Sequence, residues 1–318
     1  MNSKELENFL KNKLEHSKIE IIGKSVLENP IYAISFDFKS MNSMIIQGAI
    51  HAREHITTNL ICLLIKEISE NFDKYKKIKT PNLVFVPLSN PDGANLVSQG
   101  LKSVKSVKKR KFLFELNNES KDFSLFKANA NGVDLNTNFD ARWGTGRQNL
   151  FYASTQGYVG ESPNSEPCTK ALVELTKKVK PIFTISYHTK GEEVYADFFA
   201  KKENIKRDNK IAKIVARTLG YKLKSCQNSS SGGYKDWCIS QFGIPSVTIE
   251  VGSDKLSHPL DESSLDVIFK QNKKLLKKLG KIAKEYEHGR KNQIHEKSTK
   301  SCKKSIWQRW SSCWGSYC

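Results

Sequence analysis

The chain has 318 residues and ordinary apolar content, enough for one large α/β domain or two smaller ones with a sizeable core. No stretch approaches the roughly 20 apolar residues that a membrane-spanning helix needs. The formal net charge of +19 comes mostly from lysines scattered over every segment. No RNA- or DNA-binding signature accompanies it, so the charge favours acidic partners rather than nucleic acid.

Residues 1–14 are polar and charged, with Leu6, Phe9, Leu10 and Leu14 at helical spacing. They lack the apolar centre of a signal peptide, so the expected location is the cytoplasm, with export by another route left open. Residues 19–24 and 30–38 read as an antiparallel pair, and 44–50 as a buried strand. Residues 57–72 have the helical spacing of Leu60, Leu63, Leu64 and Ile68, and 82–87 read again as a buried strand. Asn90-Pro-Asp-Gly93 reads as a turn directly after it. Residues 98–128, with a basic cluster at 105–111, read as a long surface loop containing a helical turn. A helix over 166–178, a strand over 181–187, a helix over 204–219, a strand over 245–250 and a long closing helix over 262–286 complete the pattern. This alternation predicts an α/β sheet with helices on both faces.

Cys62, Cys168, Cys226 and Cys238 are widely separated and fit buried thiols in a reducing compartment. Residues 289–318 form a separate tail, basic and rich in tryptophan. Trp307, Trp310 and Trp314 stand at i, i+3, i+7 among Lys303, Lys304 and Arg309. The tail reads as a disordered or degenerate extension; the alternative is a short amphipathic helix touching an anionic surface. Cys302, Cys313 and Cys318 lack the spacing of a zinc knuckle.

Ligands usually bind at strand ends in open α/β sheets, and three strands here end in residues of catalytic type. Residues 44–50 run into His51 and Glu54, the strand before His188 ends in Ser186-Tyr-His188, and Ser246-Val-Thr-Ile leads into Glu250. Two histidines and one glutamate make a three-ligand zinc site with an open position, the arrangement of a catalytic zinc. Glu250 is then the general base that takes a proton from water and returns it to the leaving amine. Each part alone has an ordinary explanation. His51 and Glu54 also suit a helix start, His55 is open as a ligand or a packed side chain, and a strand-terminal glutamate often serves a salt bridge.

Gly48-Ala-Ile-His51-Ala-Arg-Glu54-His55-Ile-Thr resembles the zinc-binding motif of the carboxypeptidase A-like zinc carboxypeptidases. The likeness continues in order through Asn90-Pro-Asp-Gly93, Asn131-Gly-Val-Asp-Leu-Asn136-Thr-Asn-Phe139, Ser186-Tyr-His188, Ser231-Gly-Gly-Tyr-Lys-Asp-Trp237 and Thr248-Ile-Glu250. It covers about residues 20–285 and is strongest toward the bacterial branch that includes γ-D-glutamyl-diaminopimelate peptidases. The resemblance implies one zinc ion per chain on His51, Glu54 and His188, with Glu250 as base and acid. It implies substrate contacts from Arg53 and Asn136. The position of a carbonyl-polarising arginine in many members matches Lys127, with Arg142 and Arg147 as rival cations.

Three departures bear on specificity. Where the family reads Asn-Arg-Asn, this chain has Asn136-Thr137-Asn138, which lacks the bidentate clamp for a terminal carboxylate. The substrate-covering tyrosine falls near Asn228, leaving Tyr234 as the nearby candidate. The resemblance implies that Lys235 occupies the base of the pocket for the residue after the cut, where a cation selects a carboxylate-bearing side chain. The alternative is that Lys235 points to solvent or pairs with Asp236. The expected molecule is therefore a three-layer α/β/α domain over 1–288, with a mixed, mainly parallel twisted sheet. Its expected activity is zinc-dependent hydrolysis of a peptide or muropeptide substrate. The alternatives are a carboxypeptidase trimming acidic C-terminal residues and a non-catalytic binding protein of the same fold.

Overall fold

The computed structural model describes residues 1–225 and 230–291. One eight-stranded sheet organises them. Its strands are β1 (Ser17–Lys24), β2 (Pro30–Phe36), β3 (Ser43–Gly48), β4 (Asn82–Val86), β5 (Phe183–Thr189), β6 (Glu193–Tyr195), β7 (Lys222–Lys224) and β8 (Ser246–Val251). The order across the sheet is β1-β2-β4-β3-β5-β8-β6-β7. β4, β3, β5 and β8 run parallel through the centre. The β1–β2, β2–β4 and β6–β8 pairs are antiparallel, which makes the sheet mixed.

Alternate side chains of the central strands serve two separate cores, as the period of a strand requires. Met44, Ile46, Phe85, Ile185 and Ile249 enter one cluster, which the helices Ile56–Glu70, Lys202–Leu219 and Leu265–Leu276 cover. Ile45, Val84 and Val86 enter the other, beneath the helices Pro167–Val179 and Tyr234–Phe242. Helix, sheet and helix thus make three layers. Each large apolar side chain fully buried in them contributes roughly 1.5–3 kcal/mol. No helix among the described residues is long and apolar enough to cross a membrane.

Several elements differ from the sequence reading. Asn90-Pro-Asp-Gly93 is the start of the helix Pro91–Gln99, not a free turn. The Asn90 side chain accepts from the Gly93 N–H at 3.0 Å, and proline occupies the first turn, where its missing N–H costs nothing. The segment read as a surface loop contains the helix Val107–Leu116 and packs Leu113, Phe123 and Phe126 into a small core of their own. The closing helix is not continuous. A 3₁₀ turn at Glu262–Ser264 precedes Leu265–Leu276, and after a break at 277–278 the chain is helical again over 279–291. The short strands β6 and β7 also went unpredicted. The tail residues 292–318, with their tryptophans and cysteines, lie outside the described residues, as do Cys226 and Asn228.

Candidate metal centre

The parallel strands deliver the key side chains to one end of the sheet. β5 and β8 pair with His188 directly opposite Glu250, and β3 pairs with β5 through Gly48 and Tyr187, just before the His51 turn. That turn is fixed by two side chains, Thr57 and Asn90. Thr57 Oγ1 accepts from the Ala49 N–H at 2.7 Å and donates to the Glu54 carbonyl at 2.8 Å. Asn90 Nδ2 donates to the carbonyls of Ile50 (3.2 Å) and Ala128 (3.1 Å), tying the turn to the segment that carries Lys127. Gly93 permits this approach, since a Cβ there would sit 2.6 Å from Ala52 Cβ and 2.7 Å from the Ala128 carbonyl.

His51, Glu54 and His188 converge as the sequence predicts. Their ligand atoms all lie within 4.8 Å of one another, and all three residues are buried. His51 Nδ1 is 2.9 Å from Glu54 Oε1, and His188 Nδ1 is 3.0 Å from Glu54 Oε2. The two Nδ1 atoms are 3.2 Å apart, so two ring nitrogens and a carboxylate point into one small space. Nitrogen and oxygen donors so arranged fit a zinc ion with a position left for water or substrate. Asp134 lies behind His51, its Oδ1 3.3 Å from Nε2. An Nε2–H bonded to that carboxylate leaves the Nδ1 lone pair free for a metal.

The electrostatics follow the same arrangement. Burial disfavours the charge on His51, but Glu54 and Asp134 outweigh it and raise its pKa to about 9. Burial likewise opposes ionisation of Glu54 and Asp134, yet the histidines beside them hold both carboxyls below their ordinary range. His188 goes down, chiefly through burial. Glu250 is pushed up, first by desolvation and then by the negative charge of Glu54. His55, left open as a ligand by the sequence, lies outside the cluster.

Two cavities adjoin the centre. One, of about 250 Å³, is lined by Glu250, Thr248, Tyr195, Asn136, Lys235 and Asp236 among others. The second, of about 330 Å³, is lined by His51, Lys127, Asp134, Asn136 and Thr137 among others. Lys127 is thus beside the centre, and its charge acts on His51, Asp134 and Glu250. Of its rivals, Arg142 stacks over the Phe199 ring at 4.2 Å and Arg147 is exposed. Arg53 is half-buried, with Nη1 3.5 Å from the Leu125 carbonyl.

The expectation for Tyr234 changes, and Lys235 takes up the pairing with Asp236 that the sequence left open. Tyr234 is fully buried, packed against Phe139 and Trp237, with its hydroxyl 2.7 Å from Thr176 Oγ1. Its side chain belongs to the core, and only its backbone N–H reaches the site, on Asn136 Oδ1 at 3.3 Å. Lys235 does face the cavity, but its ammonium is already held by Asp236 (2.7 Å) and by the Asp197 carbonyl (2.8 Å). The sequence reading assigned no role to Asp134. Its signal was an aspartate opening the single turn Leu135–Thr137 inside a motif already noted.

Comparison with known proteins agrees with this geometry. γ-D-Glutamyl-L-diamino acid endopeptidase 1 of Lysinibacillus sphaericus is 32% identical over 264 residues, which cover 79% of this chain and 64% of that protein. This chain therefore spans just under two thirds of that relative's length. Murein peptide amidase A of Escherichia coli K12 is 30% identical over 142 residues, covering 41% of this chain and 54% of the relative. Among solved structures, bovine thrombin-activatable fibrinolysis inhibitor in complex with tick carboxypeptidase inhibitor has the same fold. It superposes with a TM-score of 0.70 at 21% identity, over 92% of this chain and 98% of the other. Residues 4–275 match the zinc carboxypeptidase family model, a span that takes in every residue of the metal centre. The chain belongs to the zinc carboxypeptidase family.

Proposed function

We propose that the chain is a zinc-dependent peptidase that hydrolyses an amide bond in a cell-wall peptide of the γ-D-glutamyl-diaminopimelate type. When bound, zinc supplies Lewis acidity, acidifying a water and polarising the substrate carbonyl. Glu250, opposite His188 in the β5–β8 register, accepts the proton of the attacking water and hands it to the departing nitrogen. Its raised pKa supports the second half of that cycle, because a carboxyl that holds a proton near neutral pH is able to give it back. Lys127 faces the negative charge that develops on the carbonyl oxygen, as a point charge rather than a planar two-pronged donor. Asn136 lines both cavities and orients the substrate between them; Arg53, which the family resemblance gives a contact beyond the cleaved bond, is among the lining residues of neither.

The observation that carries the substrate class is the buried Lys235–Asp236 pair in the wall of the cavity that holds Glu250. A lone cation there would select any carboxylate. A cation with its anion beside it matches a side chain ending in both an ammonium and a carboxylate, as diaminopimelate does. The names of the two bacterial relatives point the same way. Thr137 supports cleavage away from a free terminus, because it offers no charge to a terminal carboxylate. The buried, unpaired thiols Cys62, Cys168 and Cys238 support work in a reducing compartment, the cytoplasm in this reading.

Incubation of the zinc-loaded chain with muropeptides and with a peptide ending in glutamate, followed by mass spectrometry, tests the reading. Release of diaminopimelate-containing product is expected. Cleavage of the glutamate peptide alone would make the chain an acidic-residue carboxypeptidase, and cleavage of neither would leave a binding protein. Glu250→Gln should keep the zinc and lower kcat by roughly 10²–10⁴-fold. Turnover that survives this change removes Glu250 from its role.

A further inference from the structure

The two cavities lie against Glu250 and His51, and a third side of the centre, beside Glu54, belongs to neither. Two loops build that side. One leaves β5 at Thr189 and carries Lys190, and the other leaves β8 and carries Asp254 and His258. The Gly252 carbonyl accepts from the Gly191 and Glu192 N–H groups at 2.8 and 3.1 Å, which ties the loops together. Lys190 Nζ donates to the Asp254 carbonyl at 2.6 Å, and Thr189 Oγ1 lies 3.4 Å from His258 Nδ1. Only glycine suits position 252, because φ is +80° and a Cβ there would clash with Leu260. The Thr189 N–H faces Glu54 Oε2 at 3.4 Å, so His258 stands one side chain away from a metal ligand.

This corner is basic and open to solvent. Lys190 keeps 21% of its side chain exposed, and Arg53 and His258 are half-buried, so they form a wall rather than core. Burial pushes the His258 pKa down to about 4, the charges of Arg53, Lys190 and Lys127 add to that, and Glu54 opposes them. All these charges therefore act on one ring. The cations are poorly matched by the protein itself. The carboxylate nearest Lys190 is that of Asp254, 3.8 Å away and 89% exposed, where solvent weakens the pair. Arg53 spends its guanidinium on a long contact of 3.5 Å with the Leu125 carbonyl. Glu54 is the buried anion at hand, but both of its oxygens already face the histidines. An ammonium donates more than one hydrogen bond, so its bond to Asp254 leaves Lys190 able to hold a ligand as well.

We propose that Lys190, Arg53 and His258 form an anion subsite on the acyl side of the cleaved bond, where Lys190 selects a free carboxylate. The side follows from the cavities. Lys235 and Thr137, the positions toward the residue after the cut, line the two cavities, which leaves the corner beside Glu54 to the part before it. A γ-linked glutamyl residue brings a suitable group, because its cleaved carbonyl belongs to the side chain and its α-carboxyl stays free. An α-linked peptide has no carboxylate at that place. Hydrogen bonds between ionised partners are stronger than neutral ones, and amidation of the α-carboxyl keeps its shape while removing its charge. The assignment rests on the peptidase reading and names a specificity-determining residue for it.

The test uses two L-alanyl-γ-D-glutamyl-diaminopimelate peptides that differ only at the glutamyl α-carboxyl, free in one and a carboxamide in the other. With the zinc-loaded chain, kcat/KM should favour the free acid by roughly five- to tenfold. Lys190→Gln should bring the two peptides close to equality, mainly through KM, whereas Lys190→Arg should keep the preference. Lys255→Gln removes the same charge from an exposed position nearby and should leave the preference in place. An equal loss there would assign the preference to the general field and overturn the subsite. Binding of both peptides to the Glu250→Gln variant, read by calorimetry, gives an answer independent of turnover. Lack of turnover by the unmodified chain tells against the peptidase reading alone, since the calorimetric preference still decides the subsite. Equal affinity for acid and carboxamide, no affinity for either, or a preference that Lys190→Gln leaves unchanged would overturn the role of Lys190. Thermal melting and zinc content of Lys190→Gln should match the parent. If that variant is misfolded, Arg53→Gln replaces it and should narrow the preference; a preference it leaves whole counts against the subsite in the same way.

Discussion

Asp134 places each of its oxygens on a different task. Oδ1 faces His51 Nε2 at 3.3 Å, and Oδ2 accepts from the Gly157 N–H at 3.1 Å. The first contact sets which ring nitrogen of His51 keeps its lone pair for the metal, and the second anchors the outer cavity wall. Asp134→Asn keeps the size of the side chain but loses the charge, so zinc affinity should fall roughly 10–100-fold in a chelator competition. An unchanged affinity would mean that His51 is oriented by its other neighbours. The ligands themselves were legible from the chain because each follows a recognisable strand. Asp134 was not, since an aspartate that opens a turn looks the same whether or not a histidine stands behind it. Tyr234 and Lys235 make the same point. They are neighbours in one motif at the start of the helix Tyr234–Phe242, yet one side chain enters the core and the other the cavity. Adjacent helical residues point about 100° apart, and only the packing of that helix on Phe139 and Thr176 decides which of them faces substrate.

Between elements, Glu67 holds three helices together. From Ile56–Glu70 its carboxylate accepts the Tyr75 hydroxyl of Phe72–Lys77 at 2.9 Å and meets Lys273 of Leu265–Leu276 at 2.6 Å. Burial alone would raise its pKa, but the bonds from Lys273 and Tyr75 outweigh it and lower the folded value. The sign is then settled. A carboxyl depressed on folding contributes stability above its unfolded pKa of about 4.3, and that contribution is lost as pH falls through the lower folded value. Glu67→Gln should cost about 1–3 kcal/mol at pH 7. In urea unfolding the gap should narrow below about pH 4.3 and close once the folded carboxyl is protonated. A gap that stays constant with pH would show that shape, not charge, links these helices. Element types with strong periodicity, such as 57–72 and 204–219, were readable in advance. Asn90-Pro-Asp-Gly93 was ambiguous because a turn and a helix start use the same residues. Val107–Leu116 was hidden by its composition: four of its first five residues are basic, Leu113 is its buried member, and its support comes from Phe123 and Phe126 beyond its own end.

Over the whole molecule, a charge of +19 sets a field that no single pocket explains. Peptides built from glutamyl and diaminopimelyl units carry several carboxylates, so the field should draw them toward the surface before any contact forms. Exposed lysines act through solvent, with a screening length of about 10 Å at 0.1 M salt and about 3 Å at 1 M. The Lys235–Asp236 pair is buried and is screened far less. The two contributions therefore separate by salt. Raising the ionic strength from about 0.05 to about 0.5 M should lower kcat/KM for an anionic muropeptide several-fold, through association, with kcat nearly unchanged. A peptide with its distant carboxylates amidated, but with diaminopimelate intact at the cut, should show little dependence. If the proposed choice is made against Lys235 and Asp236, which line the cavity, its selectivity over a lysine analogue should persist at high salt. Equal salt slopes for the two peptides would assign the acidic preference to the pocket alone. A selectivity that vanishes with salt would assign it to the surface.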